Sequence, residues 1–285
     1  MPPPTLPTVC LIPRVHGVGG MVSFLHKLTA GLNARGIETT NDLRNTPYHS
    51  ILVIGGTRDL PGLWQARRRG FPIVQRLDGM NWLHRKLKTG LRHRMRAEYG
   101  NWLLNLIRTR LASHIVYQSE FSKVWWERVY GKTPAPHTVI YNGVDLAQYT
   151  PDGPPTRPTD HIRLLLVEGS LQGGYEMGLE TAIQLTKTLI THGQFPMELM
   201  VVGKVSPALR AFWDAKAGFP ITWAGLVPRE KIPEIDRSAH LLYSADLNAA
   251  CPNSVIEALA CGLPVLAFDT GALPELVPPR AGRVV

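Results

Sequence analysis

The chain has 285 residues, a net charge of +9 and 44% hydrophobic residues. That is enough apolar material for one large domain or two modest ones, and a globular rather than a disordered composition. No apolar run reaches the ~20 residues a membrane span needs, and the start, Met1-Pro-Pro-Pro-Thr-Leu-Pro7, has neither the charged region nor the apolar core of a signal peptide. Cys10, Cys251 and Cys261 fit no metal spacing and no even disulfide framework, so free thiols in a reducing cytoplasm are expected.

In chain order, Thr8–Ile12 reads as a strand. The glycine-rich Val15-His-Gly-Val-Gly-Gly20 leads into a helix over 23–32, with Phe24, Leu25, Leu28 and Leu32 on one face. Glycines before a helix let backbone N–H groups approach a phosphate, although many α/β proteins use such a loop only to turn. Strands follow at 50–54, 72–75 and 114–117. The second half repeats the alternation, with strands at 163–167, 197–202, 221–224, 240–243 and 264–267 and a helix over 180–190. These strands lack polar alternation, as expected of parallel sheets covered on both faces. The Pro-rich stretch 150–160 reads as a linker, which predicts domains 1–152 and 153–285.

The positive charge is concentrated. Twelve Arg and Lys residues lie between Arg67 and Arg110, with Asp78 and Glu98 the only acids. Residues 81–111 read as one long basic helix, with Trp82, Leu83, Leu87, Leu91, Met95, Trp102 and Leu103 at spacings of three and four. Such a helix can lie on an anionic membrane surface or pack on the sheet. No recognised nucleic-acid motif accompanies the charge, so no nucleic-acid partner is expected.

Near the C-terminus, Pro252-Asn-Ser-Val-Ile-Glu-Ala-Leu-Ala-Cys261 is followed by Gly262-Leu-Pro-Val265. A turn opens a short helix that holds one carboxylate, Glu257, among small apolar residues. This resembles the sugar-nucleotide segment of the family 4 retaining glycosyltransferases, which have the GT-B fold. Val139-Ile-Tyr-Asn-Gly-Val-Asp145, Leu28-Thr-Ala-Gly-Leu-Asn-Ala-Arg-Gly-Ile-Glu38 and Asp269-Thr-Gly-Ala-Leu-Pro-Glu-Leu-Val277 also match that family's patterns. The resemblance implies an α/β fold of two Rossmann-like domains facing across a cleft. It implies hexose transfer from a UDP- or GDP-type sugar to a hydroxyl of a glycan or lipid-linked acceptor, with retention, no metal and no cofactor.

On this resemblance Glu257 holds the ribose. Gly19, Gly20, Asn253 and Ser254 present backbone to the diphosphate, and Asp78 sits near the acceptor. The chain departs from the pattern in four places. Ala249 stands where the first motif acid belongs, with Asp246 three residues earlier as a substitute. Ser170 and Tyr175 replace the diphosphate-binding Arg and Lys, each a loss of about 1.5–3 kcal/mol of charge-assisted hydrogen bonding; Lys204 could supply a replacement cation. Leu77 replaces a His near the acceptor, and the family's final crossing helix would lie beyond Val285, so the second domain reads as shortened. Two readings therefore stay open: a cytoplasmic transferase, with a peripheral place on the inner membrane face open to it, and a degenerate relative that binds nucleotide or glycan without turnover.

Overall fold

The computed structural model describes residues 7–15, 17, 20–86, 90–171, 176–193 and 195–285. Contacts divide the chain into two compact units, 1–141 and 142–285. Among the described residues each unit contains one six-stranded, all-parallel sheet.

In the first unit the strands are β1 (Thr8–Ile12), β2 (Glu38–Thr40), β3 (Ser50–Ile54), β4 (Ile73–Leu77), β5 (His114–Tyr117) and β6 (His137–Val139), in the order β2-β1-β3-β4-β5-β6. The helices are α1 (Gly20–Asn33), α2 (Leu60–Arg68), α3 (Leu83–Lys86), α4 (Leu91–Leu106) and α5 (Glu120–Tyr130). Local chemistry fixes several helix starts. Asp59 accepts from Gly62 N and Pro61 follows in the first turn of α2, while Ser119 accepts from Ser122 N at the start of α5.

In the second unit the strands are β7 (Ile162–Ser170), β8 (Met197–Lys204), β9 (Ile221–Gly225), β10 (Leu241–Ser244), β11 (Val265–Ala267) and β12 (Gly282–Val284), in the order β12-β11-β10-β7-β8-β9. The helices are α6 (Glu176–Gly193), α7 (Pro207–Lys216), α8 (Ile232–Arg237), α9 (Asn253–Ala260) and α10 (Leu273–Leu276). The period of two along a strand divides the core. Leu164, Leu166, Leu199 and Val201 enter one buried cluster, and Leu165, Met200 and Val202 enter the cluster on the opposite face. Burial on both faces explains the unbroken apolar runs.

The long helix expected over 81–111 is instead α3 and α4, with residues 107–111 continuing α4 as a π-helical turn. Leu87, Lys88 and Thr89 lie outside the described residues. Two members of the basic stretch are interior. Arg108 is fully buried and donates to Tyr117 Oη, Asn105 Oδ1 and Gly131 O. Arg76 is also buried, stacked 3.5 Å from the centroid of the Phe24 ring. Among the described residues no helix is long and apolar enough to cross a membrane.

Candidate functional site

Strand order points to the site before any side chain does. In an open parallel sheet, ligands settle at the carboxyl ends of the strands, where the direction of winding reverses. In the second unit the chain winds outward from β7 through β8 to β9, then returns to the other side of β7 with β10. The reversal falls between β7 and β10, and a carboxylate lies near the carboxyl end of each strand: Glu168 two residues before the end of β7 and Asp246 two residues past β10. Both are half-buried. Desolvation raises Glu168 to about 8, with Asp246 adding to it, and desolvation raises Asp246 to about 6. Burial therefore makes both carboxyls hold a proton to higher pH than an exposed acid does.

The backbone around Glu168 is shaped for this position. The β7–β8 register shifts between Val167 and Ser170, and Gly203 on β8 adopts φ +140°. A Cβ at Gly203 would lie 2.0 Å from the Glu168 carbonyl oxygen, so only glycine allows the two strands to approach here. Past the bulge, Ser170 is the register partner of Lys204, and Leu171 N donates to Lys204 O at 2.9 Å. The exposed Lys204 thus stands beside the position where the expected arginine is replaced by Ser170.

The loop after β10 is held from behind. Asn248 takes φ +58° and its Oδ1 accepts from Thr270 Oγ1 at 3.0 Å. Ala249 O accepts from Ala272 N at 2.8 Å. Asn142 Nδ2 donates to Cys251 O at 2.8 Å, and Asn142 N reaches Cys251 Sγ at 3.2 Å. Asn142 is thereby a brace for the turn that launches α9. Asn253 and Ser254 open that helix and Pro252 precedes it without a side-chain cap. Their N–H groups, in the first helical turn, have no acceptor inside the helix.

Glu257 lies one turn further along α9 and is 8% exposed. It faces a second carboxylate, Asp236 of α8, the helix packed on α9. Asp236 is 1% exposed, and its Oδ2 has no hydrogen-bond partner among the described residues. Burial and the nearby Glu257 push the Asp236 carboxyl well above the usual range, against a smaller opposing pull from Arg237. Tyr149 is buried within the same electrostatic group and is raised by burial and by Glu257.

In the first unit the winding reverses between β1 and β3. The loops after β1, β2 and β3 line a polar pocket of about 290 Å³, with Arg14, Asp42, Arg44, Thr57 and Asp59 in its walls. Gly20 is the exposed first residue of α1, while Gly19 lies outside the described residues, as does Tyr175. Asp78 follows β4. Its carbonyl accepts from Trp126 Nε1 at 2.8 Å and Ser122 Oγ at 3.1 Å, which fixes the backbone there. Burial raises its carboxyl despite the nearby Arg76.

Four of the sequence-derived residues, Asp246, Asn253, Ser254 and Glu257, fall on the β10-to-α9 segment of the second unit, and Lys204 ends β8, which pairs with β7 on the side away from β10. Asp78 and Gly20 belong to the first unit. Two further acids had not been singled out. Glu168 directly follows the apolar run Leu164–Val167, and the first polar residue after such a run is the signal that marks it. Asp236 carries no such signal; alone it reads as a solvated helix acid. Among the described residues no group of three or more His, Cys, Asp or Glu side chains could hold a metal ion.

Comparison with known proteins agrees with this architecture. The chain is similar in structure to the sucrose-phosphate synthase of Thermosynechococcus elongatus, with a TM-score of 0.76 at 16% identity over 98% of this chain and 86% of that one. It is similar to Anabaena HepE, solved in complex with UDP-glucose, with a TM-score of 0.66 at 16% identity over 98% and 85%. WaaG, a glycosyltransferase involved in lipopolysaccharide biosynthesis, also matches with a TM-score of 0.66 at 14% identity over 98% and 85%. At such identities the likeness shows the fold, two α/β units of GT-B type. No curated protein sequence matches the chain. Family sequence models do match: "Glycosyl transferases group 1" over residues 163–285 and "Glycosyltransferase Family 4" over 51–148, together most of the chain. The chain belongs to the family 4 glycosyltransferases.

Proposed function

We propose that this glycosyltransferase moves a hexose from a UDP- or GDP-type sugar to a hydroxyl of a glycan or lipid-linked acceptor, with retention. In this reading residues 1–152 form the acceptor domain and 153–285 the nucleotide-sugar domain. One observation carries it: the reversal of winding between β7 and β10 is bordered by Glu168, Asp246 and Lys204, with the uncapped start of α9 and Glu257 on the following segment. Glu257 accepts from the ribose hydroxyls. The free N–H groups of Asn253 and Ser254 and the cation of Lys204 face the diphosphate. Of the first unit's residues, Gly19 and Gly20 are assigned to backbone binding of the diphosphate and Asp78 to the acceptor. The UDP-glucose complex of HepE supports a UDP-type donor by analogy of fold.

Chemistry follows from positioning and charge. The bond from the anomeric carbon to the phosphate oxygen breaks and its electron pair stays on the diphosphate. The acceptor oxygen attacks from the same face, and its proton passes to the departing phosphate oxygen. Two ionised carboxylates beside a diphosphate would repel it. Burial favours a protonated acid at this pair, which lessens that repulsion and offers an O–H to the leaving phosphate where Ser170 stands in place of an arginine.

Ala249 and Ser170 favour a second reading, nucleotide or glycan binding without turnover. Incubation with UDP- and GDP-sugars separates the two. Free nucleotide together with a retained anomer in the product supports transfer. A rise in melting temperature without sugar loss supports binding alone, and no response to any nucleotide sinks the transfer assignment and the nucleotide site with it.

A further inference from the structure

The apolar residues of α4 do not all serve the core. Leu91, Met95, Tyr99 and Trp102 are 72%, 66%, 50% and 51% exposed. They recur at spacings of four, four and three, so the 3.6-residue period stacks them into one stripe along the helix. The packed side of α4 is the opposite one, where Ala97 and Asn101 are buried and Asn101 binds the main chain of Asn81. Tyr99 and Trp102 stack on each other within the stripe, their centroids 5.8 Å apart.

The charges around this stripe have one sign. By the same period Arg92 lies on one flank and Arg94 on the other, with Arg96 beyond Arg92; all three are exposed. The only acid in α4, Glu98, is occupied by Arg85 through two hydrogen bonds of 2.8 Å and by His84 at 2.8 Å. Exposed aliphatic and aromatic side chains bordered by arginines match a lipid headgroup layer: apolar groups enter the acyl boundary while guanidinium groups meet phosphates. An acidic protein partner would satisfy the arginines but would not by itself account for a narrow apolar ridge with a Tyr–Trp pair at one end, the residue types suited to a membrane interface.

We propose that the solvent face of α4, built on Leu91, Met95, Tyr99 and Trp102 and flanked by Arg92, Arg94 and Arg96, docks the protein on an anionic membrane surface. This deepens the lipid-linked acceptor reading and rests on it only for the purpose of docking. The adsorption itself needs no donor and no turnover. Both signals are required, since neither a few arginines nor a short apolar ridge holds a protein to a bilayer alone.

Flotation with vesicles of equal parts phosphatidylcholine and phosphatidylglycerol tests it, with pure phosphatidylcholine vesicles as the control. The protein should float with the anionic vesicles at low salt and be released by high salt. Arg92→Gln/Arg94→Gln/Arg96→Gln and Leu91→Ser/Met95→Ser/Trp102→Ser should each lower the bound fraction at least tenfold. Both sets alter exposed side chains, so melting temperature should be kept, which distinguishes lost docking from lost fold. Absence of flotation at low salt overturns the proposal, as does undiminished binding by the serine variant. Stripe-dependent self-association without vesicles would also overturn it, making the face a contact between copies. UDP-induced stabilisation in the same preparation reports on the donor site separately, so failure of one reading is not mistaken for failure of the other.

Discussion

The two sheets share a plan but place unlike chemistry at their ligand edges. In the second unit the winding reverses at Glu168 and Asp246, two acids whose carboxyls burial raises, and α8 and α9 bring Asp236 within electrostatic reach of Glu257. In the first unit the reversal opens a polar pocket with Arg14, Arg44, Asp42 and Asp59 in its walls, Arg44 lying 3.9 Å from Asp59. The first unit's edge mixes two arginines with two aspartates, whereas the second unit's gathers half-buried acids with one exposed cation, Lys204, beside them. The backbone topology thus fixes where a ligand is received, and the strand-end residues decide what charge it meets.

The largest test of the comparison concerns the support beneath each edge. Trp126 is fully buried and holds Asp78 through its carbonyl, so Trp126→Ala should destabilise the first unit by about 3–5 kcal/mol, seen in denaturant unfolding. In the second unit, Gly203→Ala drives a methyl into the Glu168 carbonyl and should cost about 3 kcal/mol. If both substitutions were mild, neither edge would be as rigidly built as its geometry indicates.

Binding tests come next. Glu257→Gln should weaken UDP or GDP about 10- to 100-fold, the loss of one or two charge-assisted hydrogen bonds, with the melting temperature of the free protein little changed. Unaltered affinity in calorimetry would remove Glu257 from the ribose. Replacing Asp236 acts in the opposite direction. Its carboxyl is raised in the folded state, so it opposes folding once pH exceeds the ordinary Asp value of 3.8. Asp236→Asn should raise the melting temperature by about 2–4 °C at pH 8, roughly 1 kcal/mol for a unit of this size, and have little effect at pH 4.

The pH dependence of the Glu168–Asp246 pair has the same sign. Both folded values lie above the unfolded ones, so the folded state binds more protons and stability falls as pH rises from about 4 to about 8. Nucleotide affinity should decline on the alkaline side near pH 8. Glu168→Gln should flatten that decline and keep affinity, whereas Glu168→Ala should lose the donated hydrogen bond. The smallest effect lies in the first unit. Glu98 is held down at about 2, chiefly by its hydrogen bond to Arg85, so its contribution is present above the ordinary Glu value and is lost as pH falls toward 2. Because the pair is partly exposed, Glu98→Gln should cost under about 1 kcal/mol at pH 7.

Much of the fold was legible in the residues. The spans 8–12, 50–54 and 114–117 were read as the strands observed, because continuous β-branched and aliphatic runs have no other stable use at that length. Edge strands β2, β6 and β12 have three residues each and were missed, being too short for a period. The spacing over 81–111 predicts one helix, because spacing does not distinguish an apolar stripe facing the sheet from one facing water. Arg108 was counted with the surface charge since only the positions of Tyr117 Oη and Gly131 O reveal it as an interior hydrogen-bond donor.

The amino-acid sequence by itself determined the alternation of strand and helix, the family, and the segment from Asp246 to Glu257, because these depend on neighbours a few residues apart. The tertiary structure alone decided the pairing of Glu168 with Asp246 and of Asp236 with Glu257. It also decided the place of Lys204 beside Ser170 and the outward turn of Leu91, Met95, Tyr99 and Trp102. Strand order and helix packing bring those groups together from 20 or more residues apart or turn them to solvent, and a carboxylate's charge or a side chain's burial depends on what lies beside it in space.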